Sequence, residues 1–494
     1  MPRGSRGAGI AVAALAALLS VYASILVSHA SRAVGGSDSS GCLNEARGLA
    51  AGRAVDPVDP LSRLSLQPED LRLFIPLGYA PGPRPGTMSP VYPVGLPLHF
   101  VAAASLFGWA SAPYFVSPLA AVVSLLLISL IARELGLSPI AGLACAVMLA
   151  VTPVLVFQGL QPMSDVVATA WALVAVLFGL RSRRASGWGA AAGFAFGVGV
   201  LVRPSSAVLI LPLVFAVAPN RRAWSFFLLG GAPCLAVLFA FNRSAYGGIF
   251  KSGYDDSGAS SGFSLRNVAP GARHYGYWLS LTMSPLILPC WIAGCLRSAL
   301  AARDRLLLFT WFGALFLLYV LYFPYDEWWY TRFLLPGIPA LLLASAALGE
   351  RLLALRLARA RLARRTAVLI AFVVICAAGI RVIRRERVLE IGRSQAVFPE
   401  TIRWASARVP SHAFVFAMEF SGAMKAYGWG TPVRWDLIEK KDFPALRRRL
   451  ESDGGPLYAL MLPEEVTAAA EGNLSGTWKY LGHNGPASLW ELEP

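Results

Sequence analysis

The chain has 494 residues, of which 56% are hydrophobic and only 15% charged, with a mean hydropathy of +0.56. Soluble globular domains carry about a quarter charged residues, so that class is excluded. Apolar runs of about 17–25 residues recur, the length that crosses a bilayer as a helix, whereas a β-barrel would show short alternating segments. The net charge of +16 sits as arginines in short links between the apolar runs. There it reports membrane orientation rather than nucleic-acid binding, which would need a basic stripe with interleaved aromatics.

The N-terminus is basic (Arg3, Arg6) and leads into an apolar run over 8–30. The run is over-long for a signal-peptide core, and Ser28-His29-Ala30 is a poor cleavage site, so it reads as a retained first span. A polar loop follows over 31–91, far longer than an ordinary connector between spans. It opens with Gly35-Gly36-Ser37-Asp38-Ser39. Asp38 is placed to accept a proton from a hydroxyl during group transfer; taken by itself it reads first as a cap near the start of a helix over Leu43–Ala51. The loop closes with Pro90-Val91-Tyr92-Pro93-Val94-Gly95-Leu96-Pro97. The stretch 92–108 is at the short end of the spanning range and carries Pro93, Pro97 and His99. It reads as a juxtamembrane helix that returns to the face it left.

Further spans are expected at 112–133, 138–158, 166–180, 188–202, 205–219, 223–241, 275–296, 305–323, 332–349 and 366–383. Arginines fall at Arg133, Arg181–Arg184, Arg221-Arg222, Arg297–Arg305 and Arg351–Arg365. If every such link faces the cytoplasm, about 11 spans result, with the N-terminus inside and the C-terminus outside. The remaining polar segments then share the outer face. Asp165, in Pro162-Met163-Ser164-Asp165, opens a span and is either an N-cap or a second acid of a site. Arg203, before Pro204, and Arg332, before Phe333-Leu334-Leu335-Pro336, stand at span mouths. A guanidinium there suits a phosphate at headgroup depth, because its planar fork binds oxyanions in pairs of hydrogen bonds. The alternative is a snorkelling anchor, and the neighbouring Tyr325-Asp326-Glu327-Trp328-Trp329-Tyr330 could be an interfacial belt.

The tail, 386–494, alternates helical and strand patterns: Phe398–Arg408 and Phe443–Ser452 helical; His412–Met418, Val433–Leu437 and Leu457–Leu462 extended; Ser488–Leu492 an edge strand. It reads as a small extracytoplasmic α/β domain appended to a transmembrane domain over 1–385. It shows no phosphate loop, metal cluster or nucleophile elbow. Six cysteines (Cys42, Cys145, Cys234, Cys290, Cys295, Cys376) have neither metal nor disulfide spacing.

Together these features resemble the GT-C glycosyltransferases, in particular the bacterial relatives of protein O-mannosyltransferases and of the aminoarabinose transferases of lipid A. Asp38 matches the family's loop acid. Ala46-Arg47-Gly48-Leu49-Ala50-Ala51-Gly52-Arg53 matches its following helix, and Tyr92–Pro97 its juxtamembrane signature. Asp165 matches the second acid and Arg332–Pro339 the late Arg-Phe-x-x-Pro-x-x-Pro segment. The chain departs where Asp38 lacks a following Glu and where Cys42 replaces an aromatic.

The resemblance implies a polytopic helical enzyme of the cytoplasmic (inner) membrane with its active site on the extracytoplasmic face. It would transfer a hexose or pentose, with inversion, from a polyprenyl-phosphate-linked donor to a hydroxyl of a glycan, lipid or protein acceptor. Asp38 and Asp165 would be catalytic, with Asp38 the base. Arg332 and Arg203 would hold the donor phosphate, and Tyr92, Asp326, Glu327 and Tyr330 would bind substrate. Some members use a divalent metal, for which the sequence offers no specific ligand set. Membrane lipids are expected partners and nucleic acid is not. The alternative is a transporter or lipid flippase, which would place ionisable groups at the bilayer midplane and often show inverted repeats; the acids here gather at one face and no repeat is evident. A non-catalytic assembly subunit is the third reading.

Overall fold

The computed structural model describes residues 3–58, 68–256, 259–355, 361–452 and 456–493. Residues 59–67 of the long first loop and 356–360 of the basic link Arg351–Arg365 lie outside the described residues.

The chain begins with α1 (Arg3–His29), α2 (Ser37–Ala50), three short strands β1 (Asp56–Pro57), β2 (Tyr79–Pro81) and β3 (Thr87–Pro90), and α3 (Gly95–Phe107). Next come α4 (Ala112–Glu134), α5 (Pro139–Ala150), α6 (Pro153–Gly159), α7 (Ser164–Arg181), α8 (Trp188–Val202), α9 (Ile210–Ala216) and α10 (Arg221–Tyr246). A single turn, α11 (Gly253–Asp256), precedes α12 (Val268–Met283), α13 (Ile287–Arg297), α14 (Ala302–Tyr319), α15 (Ile338–Ala354) and α16 (Arg361–Arg385). The tail holds α17 (Ile391–Ser406), β4 (Phe414–Phe416), α18 (Ser421–Tyr427), β5 (Thr431–Val433), α19 (Phe443–Ser452), β6 (Leu457–Met461), α20 (Pro463–Ala468), β7 (Trp478–Asn484) and β8 (Ala487–Leu492).

Every apolar segment expected to span is helical in whole or in part. By length and composition, however, six helices among the described residues can cross a bilayer, or eight if two bent pairs each count once. The pair α5–α6 bends by 64° and the pair ending in α13 by 96°. The sharper break falls at Ser284-Pro285, where Ser284 has a φ of 81° and Pro285 cannot donate to a continuing helix. The helix α14 starts with Arg303, Asp304 and Arg305, which lowers its apolar length. The thirteen residues of α3 extend only about 20 Å, short of the ~30 Å hydrocarbon layer.

The chain folds as two compact units. The first contains Met1–Ala30, Phe115–Val237 and Ser261–Ile391. Its helices α8 and α10 touch backbone to backbone: a methyl group at Gly193 would collide with the Phe227 carbonyl, and one at Gly230 with the Ala190 carbonyl. Small residues four apart (Gly189, Gly193, Gly197) create this seam, as in membrane helix pairs generally. The basic link 181–184 is tied in place as well. Arg181 and Arg184 pair with Glu134 at 3.1 and 2.9 Å, and Arg183 pairs with Asp304 at 2.7 Å. Arg183 and Arg303 also donate to the closing carbonyls of α9, where cations offset the helix dipole.

The second unit contains Ser31–Tyr114, Leu238–Ser260 and Gly392–Pro494. Its sheet runs β5-β4-β6-β8-β7, parallel through β5, β4 and β6 and antiparallel from β6 through β8 to β7. Side chains alternate across it. Val415, Leu460 and Leu489 face α17 and α18. Phe414, Phe416 and Ala459 face the other way and pack with Val58, Phe74, Ile75 and Met88 of the first loop. The tail therefore shares its core with residues made far upstream, and Arg434 N donates to Leu73 O at 2.7 Å across that join. Ser488–Leu492 is a correction: β8 lies inside the sheet, and the edge is β7. That strand carries Lys479, Gly482 and His483 and has no buried residue, so it has no apolar alternation to betray it. Val433–Leu437 also differs, since β5 ends at Val433 and Trp435–Leu437 turns into a 3₁₀ helix.

Candidate active site

The helix α2 starts at Ser37, six residues before the expected Leu43, and Asp38 lies in its first turn. Gly36 is the N-cap and makes no side-chain cap, so capping is not the task of Asp38. The Tyr92 phenol donates to Asp38 Oδ1 at 2.6 Å, and Ser37 Oγ lies 2.7 Å from the same phenol oxygen. This is the short geometry of a hydrogen bond to a charged acceptor. Burial, and then the Asp38 charge, push the Tyr92 pKa well above its ordinary value, so the ring stays a donor. Two glycines permit the approach. A methyl group on Gly41 would lie 2.8 Å from the Tyr92 ring, and Gly78, at φ 90°, brings its own backbone against Gly41. Two of the expected residues, Asp38 and Tyr92, thus form one device.

Further along α2, Cys42 and Glu45 are buried. Among the described residues neither carboxyl oxygen of Glu45 has a hydrogen-bond partner, and burial raises its pKa well above the usual range. The Cys42 thiol is also pushed up, by burial first and then by Glu45 and Asp38. Asp56 contrasts with Glu45. Burial pushes it up, but Lys425 at 3.0 Å and Arg53 at 3.0 Å outweigh this and lower its pKa.

In the other unit, Asp165 opens α7, and Arg203 follows α8 with an extended backbone that the next residue, Pro204, favours. The two side chains form an ion pair, 2% and 14% exposed respectively. The Asp165 carboxylate is thereby paired with Arg203. The Arg203 guanidinium also donates to Tyr319 Oη at 3.3 Å, and Tyr319 in turn donates to Ser205 Oγ at 2.7 Å. Phe333 stacks on Tyr319 at 4.9 Å. The guanidiniums of Arg203 and Arg332 each lie 5.4 Å from the Phe333 ring centroid. Arg332 also lies 5.5 Å from the Tyr330 ring, which stacks on Tyr325 at 4.3 Å. Two cations thus share one aromatic ring.

Tyr330, Arg332 and Phe333 are carried by a 3₁₀ helix, Trp328–Gly337, that leads into α15. Ten residues is long for that conformation, whose hydrogen bonds are poorer than those of an α-helix. Its Pro336 carbonyl is not left facing a cavity, because the Trp311 indole donates to it at 2.8 Å. Asp326 and Glu327 precede the segment and are exposed. Tyr319 and Ser205 were not singled out from the sequence, whereas Phe333 belonged to the late motif. The available signal was that Tyr319 lies near the end of the span expected over 305–323 and that Ser205 follows Arg203-Pro204. For a divalent metal, which needs several oxygen or nitrogen ligands, no group of three or more His, Cys, Asp or Glu is gathered among the described residues. The residues present do not fit such an ion.

Residues 98–241 match the sequence family of dolichyl-phosphate-mannose-protein mannosyltransferases. The fold is similar over nearly its whole length to ArnT from Cupriavidus metallidurans bound to undecaprenyl phosphate. The TM-score is 0.58 at 14% identity, with 97% of each chain covered. The chain has the GT-C fold. The GT-C oligosaccharyltransferase of Archaeoglobus fulgidus, tethered with an acceptor peptide, is similar at a TM-score of 0.59 and 14% identity, covering 94% of this chain and 72% of that one. The mycobacterial arabinofuranosyltransferase AftD is similar at 0.55 and 13% identity, covering 97% of this chain and 41% of that one. No curated protein matches the chain by sequence. The GT-C fold and the long apolar helices make this an integral membrane protein.

Proposed function

We propose that this GT-C protein transfers a sugar, with inversion, from a polyprenyl-phosphate-linked donor to an acceptor hydroxyl on the extracytoplasmic face of the cytoplasmic membrane. The observation that carries the reading is the Asp38–Tyr92 pair, a carboxylate just after the first helix held by a phenol at 2.6 Å. ArnT was solved bound to undecaprenyl phosphate and the archaeal oligosaccharyltransferase with an acceptor peptide; both support a lipid-linked donor and a separate acceptor.

In the proposed reaction Asp38 takes the acceptor's hydroxyl proton as the oxygen attacks the anomeric carbon. The bond from that carbon to the phosphate oxygen breaks, and the electron pair leaves with polyprenyl phosphate. Arg203 and Arg332 bind that phosphate and stabilise the charge it gains. Asp165, buried against Arg203, acts as a positioning residue. Tyr92 aims the Asp38 carboxylate, and Tyr330, Asp326 and Glu327 contact the transferred sugar or the acceptor. The eleven-span topology, with both termini placed as the arginine links require, belongs to the same proposal.

The test is mass analysis of envelope glycans and lipids in a deletion strain. Wild type should restore the missing glycoform and Asp38→Asn, produced at equal level, should not; general-base loss costs about 10²–10⁴ in rate. Full restoration by Asp38→Asn would remove Asp38 from the mechanism.

A further inference from the structure

A cleft of about 1280 Å³ opens among α5, α15 and α16. It exceeds the roughly 300–1,000 Å³ of an ordinary ligand pocket. It is remote from the Arg203 cluster. Asp304, which lines it, stands at the start of α14, and Tyr319 ends that helix about 22 Å away at 1.5 Å per residue. The walls are apolar, including Leu143, Val147, Val368 and Phe372, whereas Arg351 and Arg365 stand at the mouth. From Arg365 to Ile375, both lining the cleft, α16 advances about 15 Å. That is half of the ~30 Å hydrocarbon layer, or one leaflet.

The acids at the mouth are already engaged. Asp304 pairs with Arg183 at 2.7 Å, and Glu350 accepts from the Ser138 backbone N–H at 2.8 Å. Arg351 is anchored through the carbonyls of Arg297 and Ser298, and Arg365 is exposed. A one-leaflet-deep apolar wall beneath two guanidiniums has the charge and dimensions of half a phospholipid. We propose that the cleft seats one acyl chain of an anionic glycerophospholipid, with its phosphate at Arg365 and Arg351. A polyprenyl donor fits less well, because its phosphate is assigned to Arg203 and Arg332 at the far end of α14. Binding of a phospholipid here requires only that the protein spans the membrane; the choice of a phospholipid over a polyprenyl donor rests on the transferase reading.

The experiment is native mass spectrometry of the purified, delipidated full-length chain titrated with phosphatidylglycerol, phosphatidylcholine or undecaprenyl phosphate. Wild type should prefer phosphatidylglycerol to phosphatidylcholine by at least about tenfold, the size of effect two surface cations can give a lipid phosphate. Arg365→Glu, at an exposed site, should abolish that preference. Ala144→Trp, and independently Leu369→Trp at a position 61% exposed, should weaken retention of both phospholipids by filling the cleft. Equal retention of the two phospholipids by wild type, or an unchanged preference in Arg365→Glu, would overturn the proposal. Displacement of phosphatidylglycerol by equimolar undecaprenyl phosphate, lost in Ala144→Trp, would reassign the cleft to the donor tail and overturn it as well.

Discussion

The role of Asp165 can be decided by a double-mutant cycle with Arg203. Both side chains are largely buried, at 2% and 14% exposure. Two unit charges about 4 Å apart interact by about 4 kcal/mol at the effective dielectric of about 20 that suits such sites. Arg203 keeps other holds, the Tyr319 hydroxyl at 3.3 Å and the Phe333 ring at 5.4 Å, so loss of Asp165 should forfeit only part of this. The part forfeited is about 2–3 kcal/mol, or roughly 30–150-fold in an equilibrium constant at 1.4 kcal/mol per tenfold. Undecaprenyl phosphate affinity, measured in nanodiscs, reads this without an acceptor. Asp165→Asn should weaken binding by that factor in the wild-type background. In an Arg203→Ala background the same change should cost less than about twofold, because a positioning residue has nothing left to position. Asp165→Glu should recover part of the loss. An equal penalty in both backgrounds would show that Asp165 meets the substrate itself and would refute the positioning argument.

Arg332→Ala should lower both undecaprenyl phosphate affinity and turnover, and Arg332→Lys should restore only part, because an ammonium cannot form the paired hydrogen bonds of a guanidinium; unchanged affinity and turnover would make Arg332 an interfacial anchor. Glu45 binds its proton more tightly folded than unfolded. Its contribution is therefore greatest below the unfolded pKa near 4.3 and falls as pH rises toward the folded value, by up to about 1.4 kcal/mol per pH unit. Glu45→Gln should flatten that fall in thermal melts taken across the pH series, and an unchanged slope would count against a raised folded pKa. A cysteine at Lys479, exposed on β7, should react with a membrane-impermeant maleimide in cells whose outer barrier is permeabilised. Labelling only after lysis would reverse the proposed topology.

Apolar periodicity was enough to read where the helices lie, because lipid imposes length and composition on each segment independently. Their integrity was not legible in the same way: Ser284-Pro285 turns one expected span into two helices at 96°, a local event inside an unbroken apolar run. The candidate site residues could be named from the sequence one by one, but not as pairs. Asp38 and Tyr92 meet across 54 positions only because Gly41 and Gly78 let two backbones touch. Asp165 and Arg203 meet across 38, and that pairing is the ground for proposing that Asp165 supports Arg203. Tyr319 and Ser205 carried no motif, and only the packing of α14 reveals them. The tail looked self-sufficient from its strand and helix pattern, yet one face of its sheet is covered by Phe74 and its neighbours.

That shared core has a consequence for how the protein is made. Phe74 leaves the ribosome about 340 residues before Phe414, which at about 5–20 residues per second is a delay of roughly 20–70 s. Throughout that interval Val58, Phe74, Ile75 and Met88 have no sheet to cover them. The early loop must wait, through the synthesis of every intervening apolar helix, for β4 and the strands after it to arrive. A segment translated late thus closes over one made early, and a chain cut short anywhere before β4 leaves that early loop with its apolar side bare.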